Sequence, residues 1–319
     1  FFGIVFVVIS GHTLAAPRHN VELGGHVPHA QLRDAGLLGP MEGAETLDVM
    51  FGLSLRNQDE LEKLIHDLHD PSSPRFGQFL TPAQFTENYG PSKQDVDAVI
   101  EHLRTAGFKI INTSSNRVLV RARASVSTVQ KALNVRMNHY KGRNRSFFAA
   151  AEEPSLPAAV ASRVVHIVGL QNARIRQPYL RPVSPRTALQ PALSGTGPRG
   201  GLSPQDIATA YNLPGGSTNG QGQTLALFQM DGFKASDIQA YTSYFNLRSV
   251  PLETILVDGF DGSAGSGADE VCMDIELMNA IAPGASRILV YEAPNTDQGV
   301  LDNYSRIASD NRASSISTS

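Results

Sequence analysis

Glu270 and Asp274, four residues apart in the stretch GADEVCMDIELMNAIAPGA (267–285), are the pair in this chain best spaced for chemistry. Wound as an α-helix they fall about 40° apart. Ile281 lies between them, and Met278, Val271 and Ile275 continue the apolar arc, while Glu276, Asn279 and Cys272 take the opposite side. The wheel thus predicts two carboxylates inside a core-facing stripe and a third, Glu276, in solvent. An unpaired buried carboxylate must be hydrogen-bonded or protonated, and like charges at this spacing repel. Both effects raise the proton affinity of one member, so such a pair can share a proton and serve as a general base in acid. The same spacing suits two acids on a solvated helix shoulder, or acids facing the helix dipole in a first turn. Spacing alone leaves that alternative open.

Other candidate chemistry is sparser. Asp258, Asp261 and Asp269 sit near the pair in VDGFDGSAGSGADE, but the twelve-residue calcium-loop pattern is not matched, and the acids read as solvated turns. All nine histidines (12, 19, 26, 29, 66, 69, 102, 139, 166) precede residue 167, so the later part of this sequence offers no imidazole for a Ser-His-Asp triad. Each reads best as a surface or packing residue, and His66 with His69, three apart on a helix, makes only a weak metal pair. The formal GxGxxG at 195–200 follows no strand and is crowded by Pro198 and Pro204, against a dinucleotide role. HExxH, Walker and GxSxG motifs are absent from these residues, and the single cysteine, Cys272, excludes an internal disulfide framework.

The elements that must position the acids follow from periodicity. TLDVMFGLSL (46–55) alternates like a strand, and NQDELEKLIHDLHD (57–70) reads as a helix capped by Asn57 and ended before Pro71. TPAQFTENYG and SKQDVDAVIEHLRTAG read as helices capped by Thr81 and Ser92. Strands FKII and RVLVRAR, helix SVSTVQKAL, strand VRMNHY and a helix-then-strand PAAVASRVVHIVGL complete an α+β unit of ferredoxin-like, split β-α-β type. Residues 172–203 are rich in Pro, Gly, Ser and Arg, the texture of an exposed linker open to nicking. After it, strands QTLALF (223–228), ETILVD (253–258), SRILVYEA (286–293) and SSISTS alternate with helices SDIQAYTSYF (236–245), the acidic helix and DQGVLDNYSRIAS (297–309). That rhythm predicts a parallel α/β sheet, left incomplete within these residues and poorly stable by itself because an edge is unpaired.

At 319 residues the chain is long enough for about two domains. Hydrophobic content of 41%, charge of 18% and net charge −3 point to a globular protein with no nucleic-acid footprint and no polybasic membrane surface. FFGIVFVVISGHTLAAPRHN joins a short apolar run to small residues at 13–16, the pattern of a signal peptide over 1–16, too short for a stable membrane span. Without Met or a basic segment before it, the start reads as clipped. The expected destination is secretion, with a buried strand at a domain start as the alternative. Asn112, Asn144 and Asn303 begin formal sequons.

Long blocks carry a family resemblance. HDPSSPRFGQFLTPAQF (69–85), SVSTVQKALNVRMNHYKG (125–142) and EPSLPAAVASRVVHIVGLQN (153–172) resemble the activation prodomain of the sedolisins, the serine-carboxyl peptidases, kumamolisin-like precursors in particular. LSPQDIATAYNLP, GQGQTLALFQMDGF and ADEVCMDIELMNAIAPGASRILVYEAPNT resemble the opening of their mature domain. The resemblance implies a prodomain over 40–171, a linker with the processing site over 172–203, and the N-terminal part of a subtilisin-like peptidase domain over 204–319. It implies a secreted zymogen that cleaves proteins or peptides in acid, its prodomain docked intramolecularly on the catalytic domain. By the same resemblance Glu270 is the general base towards a Ser and Asp274 orients and supports it. The family's oxyanion-hole Asp, its SGTS-type nucleophile and its calcium site have no matching positions, so calcium is implied only for a longer parent and the residues present are expected to be inactive. A prodomain-like binding or inhibitory protein with a vestigial peptidase tail is the alternative from another class. A Ser-His-Asp hydrolase would leave the two helix acids unexplained.

Overall fold

The computed structural model of the chain describes residues 19–177, 195–214 and 218–319. The signal peptide expected over 1–16 and most of the linker lie outside the described residues. The first unit runs β1 (Asn20–Glu22), α1 (His29–Leu32), β2 (Gly36–Pro40), β3 (Thr46–Leu53), α2 (Gln58–His69), α3 (Pro82–Asn88), α4 (Lys93–Thr105), β4 (Lys109–Thr113) and β5 (Leu119–Ser125). It continues with α5 (Val126–Leu133), β6 (Met137–Lys141), β7 (Ser146–Ala150), β8 (Ser155–Pro157), α6 (Ala158–Ala161) and β9 (Val164–Val168). The second unit comprises α7 (Pro204–Ala210), β10 (Thr224–Gln229), α8 (Ala235–Tyr244), β11 (Leu252–Leu256), α9 (Ala268–Ile281), β12 (Arg287–Glu292), α10 (Asp297–Asp310) and β13 (Ser315–Thr318).

Helix starts follow the chemistry of their caps. Thr81 and Ser203 each form a reciprocal capping box, with Gln84 and Asp206, and Pro stands in the first turn of both helices. Ser92 and Ser125 cap α4 and α5 through their hydroxyls. Asn57 departs from expectation. It adopts a left-handed conformation, makes no side-chain cap, and instead donates its amide to the Asn88 carbonyl at 3.0 Å. The formal GxGxxG contains only a 3-10 turn (Pro198–Gly200), closed by a bond from the Gly195 amide to the Gly200 carbonyl.

In the first unit a four-stranded antiparallel sheet has the order β4-β5-β3-β9. Side chains alternate between its faces. Val49 and Phe51 of β3, Val120, Ala122 and Ala124 of β5 and Ile167 of β9 face α4 and α5, packing on Val96, Val99, Leu103, Val126, Val129 and Leu133. The alternate residues Met50, Leu119 and Val168 form a second cluster that Leu301 of α10 joins, so the outer face of this sheet is covered by the second unit. Periodicity did not reveal β1, β2, β7 or β8. β2, β6 and β7 form a separate three-stranded sheet, and β1 pairs with β8.

In the second unit the sheet is parallel, in the order β11-β12-β10-β13. Its two faces carry separate cores. Leu227, Ile288 and Val290 pack with Ile238 of α8 and Val271, Cys272 and Ile275 of α9. Phe228, Leu289 and Tyr291 pack with Ile307 of α10. The acid-bearing helix and the helix that contacts the first unit therefore lie on opposite faces of one sheet. No helix among the described residues is long and apolar enough to cross a membrane.

Candidate active site

α9 buries Val271, Cys272, Ile275 and Asn279, which corrects the helical wheel. Cys272 and Asn279, expected on the solvated side, are inside, whereas Ile281 is 43% exposed. The reason is that the helix packs against both the sheet and α8, so a polar residue with backbone partners can occupy the core. The Asn279 side chain accepts from the Val250 amide at 2.7 Å and donates to the Arg248 carbonyl at 3.0 Å. Glu276 is half-buried, and burial, with the Asp237 charge adding, pushes its carboxyl up to about 7. Glu270 and Asp274 lie on the margin of the buried face and keep partial access to solvent.

Three elements meet at these two acids. Glu270 stands in the first turn of α9, where the helix dipole favours its charge. Burial acts in the opposite sense and prevails, with the Asp274 charge adding, so the Glu270 carboxyl is raised above the usual carboxylate range. Asp274 Oδ2 accepts the side-chain amide of Gln229 at 2.7 Å and the hydroxyl of Ser319 at 2.5 Å. Gln229 ends β10 and Ser319 follows β13, so both donors come from the carboxyl ends of parallel strands, where open α/β sheets place their ligand crevices. A carboxylate with raised proton affinity beside a second, hydrogen-bonded carboxylate can take a proton from a hydroxyl and return it to a leaving group.

The loop before α9 is held by a third acid. Asp231 accepts the amides of Gly232, Gly265 and Gly267 at 2.8, 2.6 and 2.7 Å. A Cβ at Gly265 would stand 2.9 Å from that carboxylate, so only glycine lets the amide approach so closely. Glu292, in register with Gln229 across β10 and β12, is 1% exposed, and neither carboxylate oxygen has a partner. Burial, with the Asp231 charge adding, pushes it up to about 7. Gln229, Asp231, Glu292 and Ser319 escaped sequence reasoning, although TLALFQ and RILVYE each place a polar residue at the last position on the α9 face of a strand. Among the described residues, no group of three or more His, Cys, Asp or Glu could hold a metal ion. Asp258 is turned to Arg121 of the first unit, and Asp261 accepts from Ser263 in its own loop.

Residues 33–173 match the family model Pro-kumamolisin, activation domain. The chain is 29% identical over 304 residues to xanthomonalisin of Xanthomonas sp. (strain T-22), covering 90% of this chain and 36% of that protein. It is 27% identical to sedolisin of Pseudomonas sp. (strain 101), over 91% of this chain and 50% of the relative. Over about nine-tenths of its length the chain is thus similar to members of the sedolisin family. A further sedolisin-family relative, kumamolisin of Bacillus sp. (strain MN-32), is 26% identical over 88% of this chain and 51% of its own length. The chain thus spans between about a third and a half of the curated sedolisin-family proteins it matches. A solved structure of Pseudomonas sedolisin complexed with two molecules of pseudo-iodotyrostatin superposes on 36% of this chain and 33% of its own, at 23% identity and a TM-score of 0.32, too low to carry an argument about the fold.

Proposed function

We propose that these residues form the front of a secreted, acid-acting serine-carboxyl endopeptidase precursor. In this reading the first unit is a ferredoxin-like activation domain and the second is the N-terminal part of a subtilisin-like catalytic domain. Glu270 is the general base and Asp274 its supporter. The observation that carries the reading is the pairing of Glu270, raised by burial and by Asp274, with an Asp274 fixed by Gln229 and Ser319 at the carboxyl ends of a parallel sheet.

The chemistry follows from that pair. A serine hydroxyl supplied from outside residues 1–319 gives its proton to Glu270 as its oxygen attacks the substrate carbonyl. The proton then passes to the departing amine, and water repeats the sequence on the acyl-enzyme. Asp274 disfavours a second negative charge beside it and so helps Glu270 take the proton. By this reading residues 1–319 hold a base and its supporter and do not cleave peptides alone. Calcium is expected only in a longer parent.

The test uses the longer parent protein. Its proteolysis should be insensitive to pepstatin, with an optimum below about pH 5. Glu270→Gln should lower kcat by about 10²–10⁴-fold with the fold retained. Full activity in Glu270→Ala would refute the assignment.

A further inference from the structure

His26, in the loop between β1 and α1, is 4% exposed. Its Nε2 accepts the Ile167 amide of β9 at 2.9 Å, and its Nδ1 lies 2.8 Å from the Leu23 carbonyl. A ring nitrogen that accepts an amide N–H must carry a lone pair, so the pattern assigns a neutral imidazole whose Nδ1 proton is donated to Leu23. His166, on β9, stacks on this ring with centroids 4.0 Å apart and planes 16° from parallel. The charged groups around the stack are few. Glu153 Oε2 lies 3.3 Å from His26 Nδ1, and the same carboxylate takes the amides of His26 and Val27 at 2.8 and 3.2 Å. His29 approaches its other oxygen at 3.9 Å, while Arg174 and Asp297 act on His166.

β9 is also a strand through which the first unit holds the second. Val168 clusters with Leu301 of α10. Gly169, at φ +101°, lies so near α10 that a Cβ would stand 2.5 Å from the Gln298 side-chain nitrogen. Gln171, just beyond the strand, donates to Asp297 at 2.6 Å.

We propose that the His26–His166 stack is an acid sensor that sets the grip of β9 on α10. A proton on Nε2 of His26 meets the Ile167 N–H head on, and protonation of both rings sets two cations face to face. The segment before α1 then leaves β9, and the contacts of Val168, Gly169 and Gln171 with α10 loosen. The device needs only the contact between the two units, not peptidase activity in either. Burial lowers His26 below the ordinary histidine value of 6.5, and His166, though exposed on β9, is lowered in the same sense by the desolvation of its stacked side and by the His26 charge, Glu153 opposing this at both rings. The unfolded chain therefore binds protons more readily. The stabilisation is complete above 6.5 and is lost progressively as pH falls below it.

Amide hydrogen exchange on the 319-residue chain, corrected for intrinsic rates between about pH 7.5 and about pH 5, tests this. Protection over 164–171 and 297–302 should fall by about tenfold or more, with a midpoint below 6.5. His26→Gln, whose side-chain oxygen can accept the Ile167 amide without titrating, should abolish that response. His166→Phe, which keeps the ring stack, should make it shallower. Unchanged protection in the unsubstituted 319-residue chain would overturn the proposal. So would wild-type depth and midpoint in His166→Phe together with an NMR titration of His26 at or above 6.5, a readout that stands even where His26→Gln fails to fold.

Discussion

The side-chain amide of Gln229 donates to Asp274 Oδ2 at 2.7 Å, joining the last residue of β10 to the middle of α9. Gln229 is 3% exposed, so the bond is made where water competes little. Gln229→Leu should cost about 1.5–3 kcal/mol, the range for hydrogen bonds to charged groups. Urea denaturation near neutral pH measures it, and no loss of stability would show that the bond is idle.

The two units are joined through Arg121. Its guanidinium bonds Asp48 of its own sheet at 2.9 Å, pairs with Asp258, and lies 3.6 Å from Asp302 of α10. Arg121→Ala strands Asp258 and Asp302 at a mostly buried interface, Asp48 keeping Arg123, and should destabilise the chain by about 3 kcal/mol. Asp302→Asn should cost much less, because burial already raises Asp302 and opposes the pull of Arg121. Comparing the two variants by urea midpoint checks the order.

Glu292 should make the fold less stable at neutral pH than in mild acid. Its folded-state value is about 7 against an ordinary 4.5, so the folded protein keeps a proton that the unfolded chain has already lost between these values. Stability therefore falls as pH rises through that window and levels off above about 7. Glu292→Gln should remove this part of the decline, gaining ~1–3 kcal/mol near pH 8. Thermal melts across the window measure it, and a parallel decline in the variant would assign it elsewhere.

Asn303 begins a sequon but is 0% exposed, and its amide donates to the Gln229 and Tyr291 carbonyls at 3.1 Å each. Expression through a eukaryotic secretory route should leave Asn303 bare, while Asn144, exposed in the turn between β6 and β7, is open to modification. Glycopeptide mass spectrometry decides this. Asn303→Ala should cost about 2 kcal/mol by removing two buried hydrogen bonds, the Gln229 carbonyl keeping only the Ala293 amide.

Much of the architecture was legible because its signals are local. Ser92, Ser125 and Thr81 cap where their side chains can reach the N3 amides, and the second unit alternates strands and helices as periodicity predicts. The placing of the acid pair on one helix was legible from its spacing. Its surroundings were not. The wheel placed the buried face of α9 by hydrophobicity alone, and so misjudged Cys272, Asn279, Glu276 and Ile281, whose burial depends on how α8 and the sheet pack around the helix.

The sequence by itself determined most of the helices, the strand–helix alternation of the second unit, and the two acids on one helix, because each is a matter of residues a few positions apart. Tertiary structure alone decided which groups touch those acids. Gln229 reaches Asp274 across 45 residues, Arg121 reaches Asp258 across 137, and His26 takes the Ile167 amide across 141. Such contacts carry no periodic trace in the chain. They exist because parallel strands bring their carboxyl ends together and because the outer face of one sheet is buried on α10.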